Sequence, residues 1–175
     1  ALGTLKDPNL IPIFIDGIKN QSYAVQGSSL NSISALDMAQ ALKTAKSLEK
    51  DSKGALTRAI VNIYSVDGSD AEFPYVYKSF TESGVQTKFQ LIPGFASLLM
   101  NVKQQSNLEK GLVEFKSMAK DYKQYGVDSY VNVMLGNVLK SKQNDLDVAK
   151  TDIEKVNLSS QINMVQKAIE EVKTY

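Results

Sequence analysis

A proline-free stretch at residues 128–172 carries apolar side chains at helical spacing along most of its length. Its apolar positions recur largely at steps of three and four, and they are Val131, Met134, Leu135, Val138, Leu139, Leu146, Ala149, Ile153, Val156, Leu158, Ile162, Val165, Ile169 and Val172. This spacing places the apolar side chains on one face of a helix, and that face must be buried against another surface. The stretch therefore predicts one long helix or a pair of helices.

The apolar register of this stretch slips by two residues between Val156 and Leu158. Asn157, Ser159 and Ser160 favour a helix break at this point, because their side chains can bond to the local backbone. The alternative is one helix of about 65 Å whose apolar face rotates. Its surplus apolar face would then be free to pair with another chain, as in a coiled coil.

The rest of the chain falls into three segments. Residues 1–27 hold Pro8, Pro12 and two short apolar runs, which predict an irregular or extended arm. Residues 28–66 show helical spacing of apolar side chains. In residues 67–93 the alternating run 85–91 has the period of a half-buried strand, and a loop containing glycine separates it from an aromatic-rich run.

These patterns predict one mainly α-helical domain over residues 1–175. It is a bundle of about four to six helices, with the helical segment 28–66 on one side and the bundle segment 94–175 on the other. A single β-hairpin is expected between them at about residues 73–92. Pro74 favours an edge position for its first strand.

Composition excludes several chemistries. The chain has no Cys and no His, so it lacks thiolate nucleophiles, disulfides and the usual neutral-pH base and metal ligand. It also lacks nucleotide-binding and nucleophile-elbow motifs. The acidic turn at residues 67–72 lacks the EF-hand spacing and favours an ordinary turn over a calcium site. We therefore expect no cofactor, no metal and no catalytic residue, and hence a non-enzymatic protein.

Charge and hydropathy limit the partners. There are 20 basic and 19 acidic residues, for a net charge of +1. Arg58 is the only arginine, which argues against nucleic-acid binding. No apolar run reaches the roughly 20 residues of a transmembrane helix. The chain has no cysteine, and its first residue is not Met. Both features favour an exported, extracytoplasmic protein, although a trimmed chain would also begin with a residue other than Met.

Two groups of residues are candidates for contact with a partner. The first group is tyrosines, whose rings are apolar and whose hydroxyls are polar, namely Tyr75, Tyr77, Tyr122, Tyr125 and Tyr130. Their alternative role is to cover the edge of the core, which is commoner for tyrosine. The second group, Ile162, Val165 and Ile169, belongs to the apolar stripe of the last helix.

Taken together, these features favour an interaction or structural protein that is secreted or surface-associated. It would assemble through its amphipathic helices, either with a protein partner or with itself. One alternative is a carrier that holds an apolar small ligand in a cavity between helices. A second alternative is a carboxylate-based hydrolase, which would need acids of raised pKa in a cleft.

Overall fold

The computed structural model describes residues 7–175, and within this range the chain forms nine α-helices and no strand. They are α1 Ile11–Ile18, α2 Tyr23–Leu36, α3 Met38–Leu48, α4 Ala55–Asp67, α5 Phe73–Thr81, α6 Val85–Asn101, α7 Gln105–Asp121, α8 Val127–Val148 and α9 Asp152–Lys173. A helical bundle is confirmed, with more helices than the sequence indicated. The chain divides into two compact units, the first ending at Gly68 and the second beginning at Ser69. The single domain expected over residues 1–175 stays a prediction.

The first unit is built around α2, which packs against α1, α3 and α4. Its core consists of almost wholly buried aliphatic side chains, among them Leu30, Ile33, Ala41, Ala45, Leu56 and Ile60. Helix α2 approaches the start of α4 closely at Gly27, where a β-carbon would lie 2.7 Å from the carbonyl oxygen of Ala55. Glycine is therefore required at this position for the two helices to pack as they do.

The second unit packs α8 along α9, with α7 against both and α6 against α8. Helix α5 contacts α6 and α7. Aromatic rings of α5, α6 and α7 pack together. The ring centroid of Phe95 in α6 lies 4.6 Å from that of Phe80 in α5 and 5.4 Å from that of Phe115 in α7. All three side chains are fully buried, so they form the centre of this core.

The predicted β-hairpin at residues 73–92 is wrong, because α5 and the first half of α6 occupy these residues. The buried residues of α5 are Phe73, Val76 and Phe80, which share one helix face. The alternating run continues directly into the buried helical face of α6 between Leu91 and Leu99. Burial of this longer face outweighs the strand preference of a short alternating run.

The prolines misled the sequence interpretation for one shared reason. Pro8, Pro12 and Pro74 each lie in the first turn of a helix, which for Pro8 is a short 3₁₀ turn. The N–H groups of a first turn have no partner inside the helix, so proline loses no bond there. The extended arm predicted at residues 1–27 is therefore wrong over α1 and α2, while residues 1–6 lie outside the described range.

A fourth proline lies inside α6. Helix α6 runs through Pro93 without ending there. Its side chain is on the exposed side of the helix. Solvent can therefore bond the carbonyl group that lacks a partner when proline replaces an N–H donor.

The final stretch forms two helices, but the break expected at Asn157 is misplaced. Helix α8 ends at Val148, and α9 begins at Asp152. The start of α9 is fixed by a capping box: the Thr151 hydroxyl accepts from the Glu154 amide over 3.2 Å, and the Glu154 carboxylate accepts from the Thr151 amide over 3.0 Å. Local side-chain bonding therefore fixes the start of the second helix at the threonine, before Asn157.

The register slip has a different meaning from the one expected. Ile153 and Val156 lie on the exposed side of α9, whereas Ile162 and Val165 lie on its buried side. The slip therefore marks two apolar residues that do not join the core. Within residues 7–175 no helix has both the length and the apolar character that crossing a membrane requires.

Candidate functional site

Buried polar side chains of α8 and α9 hold the connection between α6 and α7. The Lys142 amino group donates to the carbonyl oxygens of Met100 and Val102 over 2.8 and 2.5 Å. The Gln161 amide donates to the carbonyl oxygen of Lys103 over 2.6 Å. Lys142 and Gln161 are each only 1% exposed. These bonds satisfy carbonyl groups at and beyond the end of α6, where the helix supplies no partner.

The amide groups of the same connection are bonded by Asp70, in the turn before α5. Its carboxylate accepts from the backbone N–H of Lys103 over 2.8 Å and of Gln104 over 3.1 Å, and from the Asn107 side chain over 2.8 Å. A carboxylate here caps α7 and matches the positive end of its dipole. The acidic turn at residues 67–72 thus has a structural role, and no group of three or more metal-ligating side chains occurs in the described range 7–175.

The environment of Lys142 changes its acidity. Burial lowers the pKa of Lys142 to about 8, although the negative charges of Asp145 and Asp70 act in the opposite direction. A neutral amine still has two N–H donors, which matches the two carbonyl oxygens that Lys142 binds. The side chain can therefore lose its proton near pH 8 and keep both hydrogen bonds.

A cavity of about 580 Å³ lies beside this connection, between the end of α8 and the start of α9. Its volume is in the range of small-ligand sites. Charged side chains in its lining are Lys103, Lys142, Asp145, Lys150 and Glu154, and none of the described residues that line it is aromatic. The lining also includes the apolar side chains of Met100, Val148 and Leu158, so the carrier alternative stays a prediction.

Three large apolar side chains are exposed around the α8–α9 turn. Val148 is 72% exposed, Ile153 84% and Val156 71%. We call these three residues the turn patch. Val148 also lines the cavity, and Ile153 and Val156 are one helical turn apart on α9. The three residues are close in the chain; exposed apolar side chains that form one surface are typical of interaction sites, whereas isolated ones are common everywhere.

The tyrosines of the first candidate group do not all lie at the surface. Tyr77 is half-buried, its ring stacks on Phe73 at 5.5 Å, and its hydroxyl donates to Glu114 over 3.3 Å. Burial, with the Glu114 charge, raises the pKa of Tyr77. Tyr75 is also half-buried. Tyr77 therefore packs at the edge of the α5 core, and a role of either residue in binding a partner stays a prediction.

The other three tyrosines flank the start of α8. Tyr122 is half-buried and meets the Phe89 ring edge-on at 5.4 Å. Tyr125 is 70% exposed and Tyr130 41% exposed. Of the five predicted tyrosines, these last two therefore have the most surface free for a partner, and their role in binding stays a prediction.

The second candidate group lies on the inner side of α9. Ile162 is 8% exposed and Val165 is fully buried, while Ile169 is half-buried. This part of the stripe packs against α7 and α8 of the same chain. The exposed apolar surface of α9 lies instead at Ile153 and Val156.

Two carboxylates of the second unit have a lowered pKa, which bears on the hydrolase alternative. Hydrogen bonds from the Thr151 backbone and side chain lower the pKa of Glu154. The Lys116 ammonium, 2.7 Å from the Glu171 carboxylate, lowers the pKa of that group. An acid catalyst needs a raised pKa, so neither residue is suited to donate a proton near neutral pH.

Sequence reasoning missed the two buried polar residues beside the cavity. Lys142 follows Leu135 and Val138 at helical spacing, so it occupies a position where the stripe should have another apolar residue. Gln161 directly precedes Ile162 and was not distinguished from the solvent-facing residues around it. A charged residue on the apolar face of a helix was the signal available for Lys142.

Comparison with known proteins adds no relative: no protein-family model matches the chain, and neither a curated protein nor a solved structure is significantly similar to it.

Proposed function

We propose that the chain is a non-enzymatic structural protein that associates with further copies of itself through the turn patch. The observation that carries this proposal is the exposure of Val148, Ile153 and Val156 on either side of the α8–α9 turn. Moving such side chains out of water is favourable, at roughly 25 cal/mol for each Å² of apolar surface buried.

The spacing on α9 supports a symmetric contact. Two copies of α9 that meet antiparallel across a two-fold axis would place Ile153 of one copy against Val156 of the other. Lys150, Asp152 and Lys155 beside them carry both signs of charge, so the surfaces need not repel. A net charge of +1 also opposes association little.

The size of the turn patch limits the affinity expected between two copies. A stable interface removes about 800 Å² from each partner, far more than three side chains provide. We therefore expect a weak, reversible dimer that forms at high protein concentration.

The test is solution mass as a function of concentration, by light scattering with small-angle X-ray scattering on the same samples. The unmodified chain should gain mass as concentration rises. The double variant Ile153→Lys and Val156→Lys should remain monomeric without loss of helix content. Val133→Lys is the matched control, because Val133 is a 57% exposed valine of α8 outside the turn patch.

A monomer at every concentration would contradict the proposal. So would a dimer that the double variant forms as readily as the unmodified chain does. Dissociation by Val133→Lys alone would move the interface away from the turn patch.

A further inference from the structure

We propose that the α8–α9 cavity binds an amphiphilic carboxylate, that is, a carboxylate group on an aliphatic chain. Exposed lysine side chains of the lining bind the carboxylate, and apolar side chains of the same lining cover the aliphatic chain. This inference does not rest on self-association through the turn patch.

The accessible charge that the chain leaves unpaired at the cavity is positive. Lys103 and Lys150 line the cavity, and both residues are exposed. Within residues 7–175 neither ammonium group forms an ion pair with a carboxylate. Both groups can therefore bind an anion without first breaking a contact inside the chain.

The two acids of the lining already have partners. The Glu154 carboxylate accepts from the backbone N–H groups of Lys150 and Thr151 over 3.1 and 3.0 Å. The charge of Asp145 acts on the buried Lys142 ammonium. The lining thus sets three lysines against two acids, so charge complementarity favours an anion over a cation.

Both exposed lysines lie near the start of α9. Hydrogen bonds from Thr151 are the main cause of the lowered pKa of Glu154, and the charge of Lys103 adds to them. Lys150 directly precedes Thr151 in the chain. Lysine side chains are long and flexible, so a single carboxylate in this part of the cavity can contact both.

Apolar side chains of the lining favour an anion with an aliphatic chain. Met100 and Leu158 are half-buried, and Val148 is 72% exposed. Methylene groups that cover these side chains remove apolar surface of both partners from water, which is favourable. An inorganic anion would leave them uncovered. A cavity of about 580 Å³ is in the range of sites for a small ligand of this kind.

The experiment is a titration of the full chain, labelled with nitrogen-15, followed by proton–nitrogen correlation spectra. Millimolar octanoate should shift, saturably, the resonances of residues 100–103, 148–150 and 157–158. Octan-1-ol has the same chain without the charge, so it should bind about three- to tenfold more weakly, the effect of one or two exposed ion pairs. Octylammonium should bind more weakly still, because the lysines repel it.

The double variant Lys103→Gln and Lys150→Gln removes the two exposed cations. It should bind octanoate about three- to tenfold more weakly and octan-1-ol unchanged. Lys155→Gln is the matched control, because Lys155 is an exposed lysine of α9 that does not line the cavity. Ile153→Gln with Val156→Gln should also leave octanoate binding unchanged, since neither residue lines the cavity. Failure of self-association is therefore distinguishable from failure of this proposal.

Absence of saturable octanoate shifts would overturn the proposal. Equal binding of octanoate and octan-1-ol would overturn it too, and so would octylammonium binding as tightly as octanoate. Loss of the shifts in the Ile153→Gln and Val156→Gln variant would place the bound chain on the turn patch, which also contradicts the proposal. If the Lys103→Gln and Lys150→Gln variant does not fold, the three probes on the unmodified chain decide by themselves.

Discussion

The two ends of the α8–α9 pair differ in what they bury. At the end remote from the turn, Val131 of α8 and Val172 of α9 are buried among other apolar side chains. Towards the turn the buried residues are Lys142 and Gln161, and beyond them the turn patch is exposed. One helix pair therefore has an apolar end that holds the fold together and a polar end with exposed apolar residues and a cavity beside it.

The largest expected effect on the free energy of unfolding comes from a charged substitution at the apolar end, compared with one at the exposed end. Val165→Asp puts a carboxylate at a fully buried position, where it has no partner. We expect a loss of about 3–5 kcal/mol in the free energy of unfolding, or failure to fold. Val156→Asp at the exposed end should change it by less than about 0.5 kcal/mol. Urea unfolding followed by circular dichroism measures both, and similar losses would erase the distinction between the ends.

The second effect concerns the buried cation. Lys142→Met leaves the carbonyl groups of Met100 and Val102 without a donor, while removing the unfavourable burial of a charge. Each unpaired carbonyl destabilises the fold by about 1–3 kcal/mol, so we expect a net loss of about 2 kcal/mol near neutral pH. The measurement is urea unfolding of both proteins.

The same pair of proteins should separate further with pH. The pKa of Lys142 is about 8 in the folded chain against 10.5 for an ordinary lysine. Between these values the unfolded chain binds more protons, so the stability of the unmodified chain rises with pH relative to Lys142→Met, by up to about 1.4 kcal/mol per pH unit. Tyr77 is the same in both proteins, so its raised pKa cancels in this difference, and the window is about pH 8 to 10.5. Parallel profiles would show that Lys142 is not buried as described.

The smallest effect tests the start of α9. Thr151→Ala removes the hydroxyl of the capping box, and loss of such a cap destabilises a helix by about 1 kcal/mol. We expect faster amide hydrogen exchange in residues 152–156 and unchanged exchange in residues 165–172. Thr174→Ala, at the last turn of the same helix, is the control and should alter neither. Uniformly faster exchange would mean that both ends unfold together.

The helices of the apolar end could be predicted from the sequence, because apolar residues repeated at helical spacing over a long stretch fit few structures other than a helix. The polar end was not readable, because burial of Lys142 depends on two carbonyl groups that lie about 40 residues earlier in the chain. Sequence spacing carries no information on that distant partner. The predicted hairpin failed for a related reason, since the burial of Leu91 and Leu99 is decided by tertiary contacts.

Placement of the candidate residues shows the same limit. Periodicity located Ile162 and Val165 on one helix face, but it could not say whether that face meets the same chain or another. Ile153 and Val156 were counted in the same stripe, and only the fold separates them. The register slip at Val156 was the one sign of that difference.

Asp70 bears on where this chain can be divided for biochemical work. It lies at the second residue after the boundary between the two units, well before α5 begins. A fragment starting at Ser69 keeps the carboxylate that bonds Lys103, Gln104 and Asn107. A fragment trimmed to the first residue of α5 would lose it and leave the start of α7 uncapped. The cloning boundary for the second unit is therefore set by a side chain in a turn, and the ends of the helices are a poor guide to it.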